Sequence, residues 1–108
     1  MAMSTWEVDM AMELLSGFHW LGHASFRIEA QNLVIYFDPW QLKAEQPKAD
    51  MILITHDHND HCSPEDIGAL VEPDTAILGT EACIAKLEEV PGQKKIVHPG
   101  DQVTVKGI

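Results

Sequence analysis

The chain has 108 residues, 45% hydrophobic and 22% charged, enough for one small domain with its own core and too few for two. Seventeen acidic against seven basic residues give a formal net charge of -10, a surface that repels nucleic acid and anionic lipid at long range and so argues against both as partners. No apolar run approaches the roughly 20 residues of a membrane helix, and Glu7, Asp9 and Glu13 stand where a secretory signal would be basic and then apolar. Two cysteines, Cys62 and Cys83, make no disulfide framework; they are expected as small, partly buried apolar residues in a reduced, cytoplasmic setting.

In chain order, residues 4–16 predict a short helical extension, capped by Ser4 or Thr5, with Trp6, Met10 and Leu14 on one face and Gly17 as its stop. Phe18 to Leu21 and Phe26 to Glu29 read as two strands around a tight bend at Gly22-His23-Ala24-Ser25. Gln31-Asn32 is a turn signal, and Leu33 to Phe37 is a buried strand ending at Asp38-Pro39-Trp40. Residues 41–50 are polar and aperiodic, a surface loop, and Met51 to Ile54 is a second buried strand. Ser63 as cap, Pro64 at the first helical position and Asp66 at the third predict a helix through Val71. A strand over 74–78, a helix capped by Thr80 through Glu88, and short strands at 95–97 and 102–105 around the turn His98-Pro99-Gly100-Asp101 complete the pattern. His19 and His98 belong to no ligand-spaced cluster and are expected to be structural.

The densest chemistry lies in Thr55-His56-Asp57-His58-Asn59-Asp60-His61, three imidazoles and two carboxylates in seven residues directly after a buried strand. His56 and His58 are two apart, so in an extended segment they leave the same face and can meet one metal while Asp57 points away. Asp60 and His61 are adjacent and require a turned segment, which lets them address a second position. Nitrogen and oxygen donors of this kind suit Zn²⁺ best, up to two ions, and also Mn²⁺ or Fe²⁺. Asp57 is expected to orient an imidazole through its other N–H, or to fix the loop. Acidification below about pH 6 should release metal, because ligand imidazoles must be neutral.

His56-x-His58-x-Asp60-His61 after an apolar strand ending in Thr55 resembles the signature of the metallo-β-lactamase superfamily. Trp20-Leu21-Gly22-His23-Ala24-Ser25-Phe26, the strand ending Asp38-Pro39-Trp40, and His98-Pro99-Gly100-Asp101 resemble the branch that includes ascorbate-6-phosphate lactonase-like proteins. The resemblance covers nearly all of residues 18–108. It implies an α/β fold: the N-terminal βα half of an αββα sandwich, a mixed sheet with helices on one face, residues 1–17 being an extension and 18–108 a half domain truncated before its second half.

The same resemblance implies a metal-dependent hydrolase that uses metal-bound hydroxide on a small lactone, ester or phosphoester. His56 and His58 would hold a first metal, Asp60 and His61 a second, with Asp60 also orienting the nucleophile as the catalytic residue. Asp38 and His23 would stand behind the ligands as supporting groups. The later ligands of the family pattern do not follow, so the remaining donors are expected from a homo-oligomer or a missing C-terminal half; the alternative is a catalytically incomplete metal-binding or self-assembling fragment.

Overall fold

The structure is a computed structural model that describes residues 17–22, 24–30, 32–42, 45–55, 62–98 and 100–101. Its elements are β1 (Phe18–Gly22), β2 (Ser25–Ala30), β3 (Leu33–Phe37), β4 (Met51–Leu53), α1 (Pro64–Leu70), β5 (Ala76–Gly79), α2 (Glu81–Lys86) and β6 (Gln93–Ile96). The predicted helix over 4–16 and strand over 102–105 lie outside the described residues.

The six strands form one sheet in sequential order. β1, β2 and β3 pair antiparallel, and β3, β4, β5 and β6 pair parallel. The change follows from the connections. Gly22 at φ 107° serves the β1–β2 bend and Asn32 at φ 63° the β2–β3 hairpin, two positions where only glycine or an Asx residue is readily held. The longer links after β3, β4 and β5 return the chain parallel. Because the parallel strands advance in one direction across the sheet, right-handed crossovers carry both helices to the same face.

That face carries Tyr36, Ile52 and Ile77, on which Ile67 and Leu70 of α1, and Cys83 and Leu87 of α2 and its cap, form one buried cluster. The opposite face is set by the register. Phe26 lies between Trp20 and Phe37, and Ile28 between Phe18 and Ile35, while Met51, Leu53, Ala76 and Leu78 continue the rows. Ile35, Met51, Ala76 and Leu78 are buried there, but toward the β1 edge Phe18 and Trp20 are 47% and 67% exposed. Among the described residues no helix packs on this second face.

Several element boundaries differ from the sequence reading by a residue or two, and three of the shifts have a clear local cause. β6 begins at Gln93 rather than Lys95 because Gln93 pairs with Ala76, and its backbone N–H donates to the Thr75 carbonyl at 2.8 Å. α2 stops at Lys86 because Leu87 leaves helical geometry at φ -103°, ψ 18°. β5 starts at Ala76 since Asp74 and Thr75 belong to a turn in which the Thr75 hydroxyl accepts from the Glu72 N–H at 2.8 Å and donates to the Ala49 carbonyl at 2.6 Å. The largest correction concerns the cysteines. Cys62 and Cys83 are fully buried and joined by a disulfide with a Cα–Cα distance of 5.9 Å, so they are neither free thiols nor partly exposed.

Candidate metal centre

The chain leaves the C-terminal edge of β4 through Ile54 and Thr55, where open parallel sheets gather their sites. The Ile54 N–H donates to the Leu78 carbonyl at 2.9 Å, which keeps the strand aligned on β5 beyond its last paired residue. Thr55 is then gripped by Asp38. One Asp38 carboxylate oxygen accepts from the Thr55 N–H and the other from the Thr55 hydroxyl, each at 2.7 Å. Asp38 can do this because it sits at φ 46°, a left-handed turn that an Asp tolerates, directly after β3. Its own N–H donates to the Leu53 carbonyl at 3.0 Å.

The grip is itself supported. The buried Ser25 hydroxyl donates to the Asp38 carbonyl at 2.6 Å and accepts from the Trp40 N–H at 3.0 Å, tying the start of β2 to the turn after β3. Asp38 is 4% exposed while Thr55 lies at the surface, so the two charge-assisted bonds between them are part-buried.

On the far side of the histidine-rich stretch, Cys62 is bonded to Cys83 and Ser63 caps α1, its hydroxyl accepting from the Asp66 N–H at 3.3 Å. The Asp66 carboxylate accepts from the Ser63 hydroxyl at 2.7 Å and from the N–H groups of Gln41 and Leu42 at 2.9 and 3.2 Å. The described residues on either side of that stretch are thus held, Thr55 by Asp38 after β3 and Cys62 by Cys83 in α2. Two clefts flank Thr55. One of about 420 Å³ is lined by Phe18, Ala24, Phe26, Ile28, Phe37, Asp38 and Thr55. The other, about 360 Å³, is lined by Phe37, Leu53, Ile54, Thr55, Leu78, Thr80, Val97 and His98.

Of the residues read as ligands or supports, Asp38 is placed as just described. His23, His56, Asp57, His58, Asp60 and His61 lie outside the described residues, and among the described residues no group of three or more His, Cys, Asp or Glu side chains forms a metal cluster. His19 on β1 stands 4.0 Å from Glu29. The His98 N–H donates to the Asp101 carboxylate at 2.8 Å inside the predicted turn. Both have structural partners.

A model of the beta-lactamase superfamily domain matches residues 17–108. The chain belongs to the metallo-β-lactamase superfamily. Among its relatives in that superfamily, a UPF0173 metal-dependent hydrolase of Caldivirga maquilingensis is 45% identical over 49 residues, 39% of this chain and 22% of the relative. A UPF0173 metal-dependent hydrolase of Thermoplasma acidophilum is 30% identical over 97 residues, 82% of this chain and 42% of the relative. The crystal structure of a candidate metal-dependent hydrolase from Parabacteroides distasonis superposes with a TM-score of 0.68 at 37% identity, covering 78% of this chain and 38% of that one. The chain therefore spans well under half the length of these relatives, and the mixed sheet with two helices is a partial metallo-β-lactamase fold.

The superfamily implies metal, and the residues fit it. The donor set in 56–61 is imidazole and carboxylate, the ligand chemistry of zinc and related divalent ions. Asp38 holds the residue next to the first candidate ligand on rigid backbone, the support that a ligand array needs.

Sequence reasoning passed over the disulfide, the Ser25 bridge, and the reach of Asp66 beyond its own helix. Ser25 was visible only as part of a motif. Asp66 reads from sequence as an N-terminal helix residue, and nothing local announces that its carboxylate also closes the 41–42 turn.

Proposed function

We propose that this chain carries the metal-binding part of a metal-dependent hydrolase that acts on a small lactone, ester or phosphoester, most similar to the lactonase-like branch. His56 and His58 hold one ion, Asp60 and His61 a second, with Zn²⁺ preferred and Mn²⁺ or Fe²⁺ as alternatives. When bound, such ions lower the pKa of water toward about 7 and polarise the bond to be cleaved. Asp60 would also orient the attacking water. Asp38 fixes Thr55 so that His56 starts from a defined position, and Asp57 and His23 support the ligands by hydrogen bonding. The observation that carries this reading is the buried Asp38 carboxylate closed on both the N–H and the hydroxyl of Thr55 at the head of the histidine-rich stretch.

The test is hydrolysis of a generic lactone and a generic phosphodiester. Activity that disappears with a chelator and returns with Zn²⁺ or Mn²⁺ is the expected result; activity indifferent to the chelator would overturn it.

A second reading is favoured by one observation, the apolar sheet face on which Phe18 and Trp20 are 47% and 67% exposed. In it the chain holds metal without turnover and associates through the apolar sheet face, with a second copy or further sequence completing the shell. Sedimentation at micromolar concentration tests that association: a homo-oligomer is expected, and a stable monomer counts against it.

A further inference from the structure

We infer that the Cys62–Cys83 disulfide is a folding-gated staple of the helical layer: it is made and broken only while the chain is unfolded, and it sets how stable the folded chain is. The bond joins the residue before the Ser63 cap of α1 to the first turn of α2. Both helices need such a tie, since α1 has seven residues and α2 six, too few to persist without tertiary support. The two cysteines are fully buried, in one cluster with Ile54, Ile67, Leu70, Ile77 and Leu87. The Cys83 N–H donates to the capping Thr80 hydroxyl at 3.2 Å. The enclosed segment is part of the core. It contains α1, the turn held by Thr75, and β5, whose Ile77 pairs with Ile52 on one side and Lys94 on the other. A reductant therefore reaches the sulfurs only when this packing comes apart. The inference is independent of the metal reading above.

The effect on stability follows from the same placement. Cross-linking two positions 21 apart in sequence removes conformations from the unfolded chain. Reduction restores them and leaves two small apolar side chains in the same cluster, so the reduced chain keeps its packing and loses the constraint. Breaking the bond is a two-electron exchange. One thiolate of a small dithiol attacks a sulfur, giving a mixed disulfide and a cysteine thiolate, and the second thiol of the reagent then displaces it from the other cysteine. The two cysteines gain two electrons and two protons while the dithiol leaves as its cyclic disulfide. Formation is the reverse, with a small disulfide as oxidant.

The experiment uses the full chain, refolded from urea with oxidised glutathione and kept in EDTA. Dithiothreitol is added, and free thiols are alkylated at intervals and counted by mass spectrometry. Reduction in buffer should be at least about 100-fold slower than in denaturing urea. Lower urea concentrations should speed it with the same urea dependence as unfolding followed by circular dichroism. Urea unfolding of the oxidised and reduced chains gives the second quantity. The unfolding equilibrium constant should be about 100-fold larger for the reduced chain, the order expected for closing a loop of this length. A reduced chain that no longer folds is the same loss carried past the chain's whole stability, and supports the staple. Two alkylatable thiols after refolding with oxidised glutathione, a reduction rate indifferent to urea, or equal unfolding constants for the two forms overturn it.

Discussion

Replacing Asp38 separates its two jobs, gripping Thr55 and turning the chain. Asp38→Ala deletes two hydrogen bonds to a charged acceptor, each worth about 1.5–3 kcal/mol. Thr55 is exposed, so water can take over as its partner, and the low end of that range applies. The two bonds then contribute about 3 kcal/mol. Alanine at φ 46° adds about 1 kcal/mol of left-handed strain that aspartate bears more easily. The sum, about 4 kcal/mol, is a large share of the 5–15 kcal/mol typical of a domain. Asp38→Asn keeps an acceptor for the Thr55 N–H and tolerates the same turn, so it should cost only about 1–2 kcal/mol. Urea unfolding followed by circular dichroism measures both. A cost below about 1 kcal/mol for Asp38→Ala, or equal costs for the two variants, would refute the grip as described.

Ser25→Ala should cost about 2 kcal/mol, because it removes the hydroxyl's two hydrogen bonds, to the Asp38 carbonyl and from the Trp40 N–H, at about 1 kcal/mol each; the same unfolding assay decides. Gly92→Ala should destabilise strongly, since its φ is 126° and an added Cβ would sit 2.9 Å from the Ile77 δ-methyl and 3.1 Å from the Thr75 carbonyl oxygen; a neutral result would show that the turn before β6 yields. Burial raises the Tyr36 phenol above its usual 10.0, against the opposing pull of Arg27. A proton held in the folded state beyond the pH at which the unfolded chain releases it makes stability fall as pH rises above about 10. Tyr36→Phe should flatten that alkaline slope in urea titrations, at a cost of about 1 kcal/mol at neutral pH for the lost bond to the Pro47 carbonyl.

Periodicity and turn chemistry carried most of the fold. The alternation of Phe26 and Ile28 with Arg27 and Glu29, the run Leu33 to Phe37, and the Ser63-Pro64 and Thr80 starts all lie where the structure has strands and helix caps. At β5 and β6 a long-range bond overrides local pattern. Gln93 and Lys94 are poor strand formers, yet they pair with Ala76 and Ile77 and are drawn into β6. The candidate site stands in the sequence as a donor cluster, because metal chemistry needs particular residue types at short spacing. Its support does not, since Asp38 and Thr55 are 17 residues apart, and Cys62 and Cys83 are 21 apart; only the paired strands and α2 bring each pair together.

The central claim is that residues 56–61 bind metal, and elemental analysis of the purified chain against its His56→Ala/His58→Ala variant tests it most directly. The account predicts bound divalent metal, with Zn²⁺ preferred, that falls sharply in the variant and is released from the wild type below about pH 6. Metal content that is unchanged by removing both imidazoles, in a variant that remains folded, would contradict it.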